Sequence, residues 1–199
     1  MAGAFPISTA KFGTLGIKSI QNTIISKTVS GKKLARQIDN QRWAFSVQII
    51  TAKRSDVYGE LMAFILKQRS GKENFTIIPP EIEDAKGTAS GIPHGTASAG
   101  DTSITLGGTG TGTLKAGDFI KFASHDKVYM IVADNSDIST GSLTIEPPLT
   151  TAISSSNITY DNVPFTVHLT NDIQEFGVSG VDKDGNLYYE YQFDVEEAL

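Results

Sequence analysis

Residues Gln41–Pro80 read QRWAFSVQIITAKRSDVYGELMAFILKQRSGKENFTIIPP, a stretch that predicts strand, helix and strand in succession. Trp43, Phe45, Val47 and Ile49 alternate with Ala44, Ser46, Gln48 and Ile50, the period-2 pattern of a strand with one buried face. Ser55 stands where an N-cap is expected, and Asp56 and Glu60 place carboxylates in the first turns, opposite the positive helix end. Val57, Leu61, Phe64 and Ile65 follow at helical spacing, widened by Tyr58, Met62 and Leu66, so the helix is expected over about residues 55–70. Lys67 and Arg69 fall in its last turn, and Gly71 is the expected left-handed residue beyond it. Phe75–Ile78 is a short strand that stops at Pro79-Pro80, which cannot donate to a ladder.

On either side the chain reads as β-structure. Residues 1–16 read either as a loose terminus or as an extended arm, punctuated by Gly3, Pro6, Gly13 and Gly16, whose Phe5, Ile7, Phe12 and Leu15 can dock on a neighbour. Ile17–Val29 reads as one or two strands, and the Ser30-Gly31-Lys32-Lys33 turn returns the chain into Leu34–Ile38 as a hairpin. This segment is the most basic, with Lys27, Lys32, Lys33, Arg36 and Arg42; we read it as a solvated hairpin or a loop that meets an acidic neighbouring subunit, ahead of a phosphate site. Between residues 86 and 162, 32 of 77 residues are Gly, Ser or Thr. Short apolar-alternating runs recur there at Thr102–Leu106, Asp118–Phe122, Lys127–Val132, Leu143–Glu146 and Asn157–Tyr160, separated by turn residues. Five strands without a helix predict a small barrel, since closure removes exposed edges. Gly87–Gly100 and Thr150–Ser156 read as flexible connections.

Beyond residue 162 the composition returns to ordinary. Phe165, Val167 and Leu169 mark one strand, Gln174–Ser179 another, and Asp182–Asn186 a tight hairpin turn. The last strand alternates Leu187, Tyr189, Tyr191, Phe193 and Val195 with polar residues, and we expect Tyr189, Tyr191 and Phe193 to share a core with Trp43, Phe45, Leu61 and Phe64. The expected fold is mainly β: a β-sandwich with one α-helix, formed by residues 1–85 and 163–199 and interrupted by an inserted small β-barrel at 86–162.

The chemistry is sparse. The net charge of −5 gives no whole-chain case for nucleic-acid or membrane binding, and the absence of cysteine excludes disulfides, thiolate metal sites and cysteine nucleophiles. It also fits synthesis in a reducing cytosol. No signal peptide or membrane span is read. The run Gly107-Gly108-Thr109-Gly110-Thr111-Gly112 lacks the Gly-Lys-Ser/Thr ending of a phosphate loop and reads as a hairpin loop. Asp182, Asp184 and Gly185 suggest a calcium loop, but Gly185 in its sixth position puts Gly180 in the first. His94, His125 and His168 have no metal-ligand spacing. No catalytic, cofactor or metal site is expected, and the chain is not expected to be an enzyme.

Three stretches in order resemble the tailed-bacteriophage tail proteins related to the distal tail, or baseplate hub, family. They are Ser30-Gly31-Lys32-Lys33 with Gln41-Arg42-Trp43-Ala44-Phe45; Tyr58–Leu66 with Arg69-Ser70-Gly71 and Phe75–Pro80; and Leu114–Phe122, Lys127–Met130, Ile145–Leu149 and the acidic C-terminal strand. The resemblance spans about residues 30–199. It implies a structural protein of the virion tail, assembled in the host cytoplasm. It further implies a homo-oligomeric ring, often a hexamer, between the tail tube and other baseplate or tip proteins, with DNA only in transit through the lumen. Candidate subunit-interface residues are then Phe5 and Phe12 of the arm, Lys32, Lys33 and Arg36 of the hairpin, and Asp194, Glu196 and Glu197 as their acidic counterparts in a neighbour. A saccharide- or receptor-binding insert using Phe119, Phe122, Tyr129 or Tyr160 is the alternative, and a tail terminator or connector ring a third.

Overall fold

The structure, a computed structural model, describes residues 3–6, 12–38, 40–80 and 82–199; Ile7 and the side chain of Val57 lie outside the described parts. In chain order the elements are β1 (Phe12–Ile20), β2 (Thr23–Lys27), β3 (Lys33–Gln37), β4 (Arg42–Lys53), α1 (Gly59–Lys67), β5 (Phe75–Ile77), β6 (Pro93–Ala97), β7 (Ser103–Gly108), β8 (Phe119–Phe122), β9 (Val128–Ile131), β10 (Ser142–Glu146), β11 (Ile153–Thr159), β12 (Phe165–Leu169), β13 (Phe176–Val181) and β14 (Leu187–Glu197). The fold is mainly β, with one short α-helix.

The stretch that opens the sequence reading builds the centre of a six-stranded antiparallel sheet, ordered β1-β4-β14-β12-β5 with β13 on the N-terminal half of β14. Trp43, Phe45, Val47 and Ile49 are all buried, as their alternation demands. Across the ladder Val47 meets Phe193 and Phe45 meets Val195, so the last strand lies beside β4. Tyr191 and Phe193 share one core with Trp43, Phe45 and Leu61, and Phe64 and Tyr189 pack against it. Leu187, expected to face inward, is 42% exposed: the ladder slips between Tyr189 and Tyr191, and Leu187 lies past the core opposite Val181. The layer opposite the sheet is α1, which buries Leu61 and Ile65, together with Phe5.

Both ends of the helix differ from expectation. β4 runs to Lys53 and turns directly into a π-helical turn, Arg54–Tyr58, closed by the Gly59 amide bonding to the Arg54 carbonyl. The extended residue before the turn is Lys53, the last of β4, which makes no side-chain cap, and the Ser55 hydroxyl donates instead to the Asp56 carboxylate. At the other end the left-handed residues are Arg69 (φ 54°) and Ser70 (φ 60°). Gly71 is needed for space, because a Cβ there would sit 2.5 Å from the Leu169 carbonyl oxygen.

The Gly-, Ser- and Thr-rich region contains a closed six-stranded barrel, ordered β10-β7-β6-β11-β8-β9. Its interior is filled by Ile104, Leu114, Ile120, Phe122, Tyr129, Ile131, Leu143 and Ile145 among others. Two stretches read as flexible connections are barrel wall: β6 lies within 87–100, and β11 begins at Ile153. β6 is Pro-His-Gly-Thr-Ala, which carries little strand propensity. Its Gly95 is required because a Cβ would come within 2.7 Å of Ile104 and 3.1 Å of Phe122. The glycine-rich run is anchored too: Ser90 and Thr111 exchange both backbone hydrogen bonds at 2.9 Å.

β5 and β12 are hydrogen-bonded neighbours, with Ile77 opposite Phe165 and Phe75 opposite Val167. The chain therefore leaves the sheet for the barrel and returns on the adjacent strand. The two crossings are tied together: the Asn162 amide donates to the Asp84 carboxylate (3.1 Å) and the Val163 amide to the Glu83 carbonyl (3.2 Å).

Candidate assembly interface

The predicted hairpin forms, as β2 and β3, a two-stranded sheet apart from the rest. Its ladder pairs Ile24 with Arg36, Ile25 with Ala35, Ser26 with Leu34 and Lys27 with Lys33. Since residues directly opposite share a face, Ile25 and Ala35 lie on one side and Ile24 and Leu34 on the other. All ten strand residues are exposed, Ile24 at 57%, Ile25 at 56% and Leu34 at 49%. An isolated hairpin is marginal in water, and the facing Lys27 and Lys33 repel. Among the described residues, Lys27, Lys32, Lys33 and Arg36 have no acidic partner. The turn is closed locally, with the Thr28 amide donating to the Lys32 carbonyl and the Lys32 amide to the Thr28 hydroxyl.

The other candidate interface residues are engaged within the subunit. Phe5 is 2% exposed; its ring meets Phe12, Phe64, Phe75 and Phe193 at centroid distances of 5.6–6.2 Å, and its amide bonds to Thr76. Its partner Phe12 packs against the same core. Phe5 is thus the centre of an aromatic cluster within the subunit. Asp194 accepts from Ser46, which also takes a 3.0 Å bond from Lys18, and Glu196 pairs with Arg42 at 2.8 Å. Glu197 is buried against Lys127. Phe5 and Glu197, expected at a subunit interface, are both buried within their own subunit. Glu175 and Glu190, which the sequence reading passed over, are exposed acids of the C-terminal strand pair with no ion pair among the described residues. They line a groove of about 390 Å³ with Gln48, Gly177, Tyr191 and Gln192.

The barrel is joined to the sheet by more than its two crossings. Trp43 packs edge-on to Phe119 (5.2 Å), and its indole N–H donates to the Val128 carbonyl (2.9 Å). The Glu197 carboxylate accepts from the Val128 amide (2.8 Å), the Trp43 amide (3.1 Å) and the Lys127 ammonium, which also donates to Gln41 Oε1 (2.7 Å). Burial pushes the Glu197 carboxyl up and the Lys127 ammonium down, and their mutual attraction offsets part of both. Nothing in the sequence pairs Lys127 with Glu197: one precedes β9, the other ends β14 70 residues later, and only the topology brings them together.

The remaining candidate chemistry resolves into structure. Asp182 is the hairpin's organiser: its carboxylate accepts from the Asp184 and Asn186 amides and pairs with Lys53, and these bonds hold it well below the usual carboxylate range. His125 bridges Ser124 and Tyr129. Phe119, Phe122, Tyr129 and Tyr160 are buried, which removes the stacking faces that a saccharide site would have drawn on. Among the described residues no group of three or more His, Asp or Glu can hold a metal ion, and no helix is long and apolar enough to cross a membrane.

Against known families, residues 84–163 match the family described as distal tail protein pb9, B domain. No curated protein matches the chain. The matched segment is the barrel with both of its crossings, and the match supports a relationship to the phage distal tail protein family.

Proposed function

We propose that this chain is a structural subunit of a phage tail that closes into a ring, often a hexamer, at the junction of tail tube and tip, as a distal tail or baseplate hub protein. The distal tail relationship supports the structural role in the virion tail and assembly with other tail proteins. The observation that carries the ring reading is the β2–β3 hairpin, which exposes Ile24, Ile25 and Leu34 and four cations without an acidic partner among the described residues. A ring needs two different complementary patches on each subunit. The hairpin is one, and the acidic side moves from Asp194, Glu196 and Glu197 to the exposed Glu175 and Glu190. Residues 1–85 and 163–199 act as the ring domain, and the insert at 86–162 projects toward neighbouring tail-tip proteins, with DNA only in transit through the lumen.

Native mass spectrometry of the purified protein tests this. The wild-type chain is expected as a closed oligomer, and Lys32→Glu/Lys33→Glu/Arg36→Glu as a folded species of lower mass. A monomeric wild type across micromolar concentrations, or unchanged assembly of the triple variant, refutes the hairpin contact.

A further inference from the structure

Lys127 and Glu197 come from the two parts of the fold that the crossings connect. Lys127 precedes β9 in the barrel, and Glu197 ends β14 in the sheet. Their side chains are 1% and 0% exposed. Polar groups around them bond across the junction: Glu197 accepts from the Trp43 and Val128 amides, the Lys127 ammonium donates to Gln41, and the Trp43 indole donates to the Val128 carbonyl. The apolar side of the same contact is Phe119 and Val128, barrel residues that belong to the sheet's core. The barrel's own interior is a separate cluster, filled without any residue of the sheet. Two independent cores joined by a dry, fully bonded ion pair differ from two domains on a loose linker. Removing one member of such a pair leaves a charge that cannot stay dry, whereas removing both need not cost the contact.

We propose that Lys127 and Glu197 form a latch that holds the barrel against the sheet in one orientation, and that its loss frees the barrel without unfolding it. The latch is independent of the ring reading, because every group in it belongs to one chain. It gives the end of β14 a function: a projecting barrel is presented to its partners as a rigid arm. Trp43, the sole tryptophan, is a built-in reporter, since its indole N–H is bonded across the contact. Ile104 and Leu143, opposite each other in the barrel wall and fully buried, report on the barrel alone.

The test is hydrogen exchange on the full chain, read by NMR at the Trp43 indole and at the Ile104 and Leu143 amides. Glu197→Ala is expected to speed indole exchange by about a hundred-fold or more and leave the two barrel amides as protected as in the wild type. Lys127→Met/Glu197→Gln, which removes both charges and keeps an acceptor, is expected to restore slow indole exchange. Unchanged indole exchange in Glu197→Ala overturns the latch. So does equal acceleration at all three sites, which marks plain loss of stability, and so does a double variant as fast as the single. Should Glu197→Ala not fold, Glu197→Gln decides: acceleration confined to the indole supports the latch, and uniform or absent acceleration overturns it.

Discussion

Gly71 separates two physical reasons for a glycine after a helix. If Gly71 supplied a left-handed cap, asparagine would be the next-best residue, because its short polar side chain tolerates that conformation. The structure assigns the left-handed conformation to Arg69 and Ser70 and places Gly71 flat against β12, 2.5 Å from the Leu169 carbonyl oxygen on an ideal Cβ. A backbone oxygen at the end of a paired strand cannot move aside as a side-chain tip can. Gly71→Ala and Gly71→Asn are therefore both expected to destabilise by about 1–3 kcal/mol, the cost of overpacking. Arg69→Gly is expected to act in the opposite direction: it relieves about 1 kcal/mol of left-handed strain, less the entropy of a freer unfolded chain, for a net gain of roughly 0.5 kcal/mol. Urea unfolding with an unchanged m-value reads all three, and at this size each kcal/mol moves Tm by about 2–4 °C. A Gly71→Asn variant as stable as wild type, or an Arg69→Gly variant less stable than it, refutes the reasoning.

Phe5→Ala empties a site enclosed by four other rings and should cost about 3–5 kcal/mol, measured as a shift in urea midpoint; a loss under about 1 kcal/mol means the arm is not anchored there. Gly95→Ala drives a Cβ toward Ile104 and Phe122 and should lower stability by about 1–3 kcal/mol, with amide protection falling first at Ile104 and Leu143. His125 is held below the ordinary 6.5 chiefly by burial, with Lys121 adding to this and Asp126 opposing it. The unfolded chain therefore takes up that proton first: stability is full above pH 6.5 and falls as pH drops below it, and His125→Asn should flatten this fall in urea midpoints measured from pH 7 to 5.

How much of this was legible depended on whether a residue's partner was near in sequence or encoded by pattern. Period-2 alternation in β4 and β14 identified the buried face of two strands more than a hundred residues apart, and the hairpins announced themselves through Ser30-Gly31 and Asp184-Gly185. β6 did not, because its residues are chosen for closeness to Ile104 and Phe122 and carry almost no strand preference of their own. The helix ends were misread because capping rules assume a free extended residue before the first turn, and here the strand runs straight into it. The acidic C-terminal strand was correctly seen as charged, but charge alone does not say whether Glu197 meets solvent, a neighbour or a buried lysine. That distinction is made by the barrel's return to the sheet.

The pairing of β4 with β14 also sets an order on synthesis. β4 is complete within the first 53 residues of the chain, yet its central neighbour consists of residues 187–197. A nascent chain therefore carries Trp43, Phe45, Val47 and Ile49 without their main cover until residues 187–197 have been made. The barrel lacks this dependence: its strands all lie between residues 93 and 159 and close on one another. Local contacts form before distant ones, so the barrel is complete while the N-terminal strands still wait. Residues 187–197, made after the whole barrel, then complete the sheet and, with Glu197, seat a barrel that is already folded.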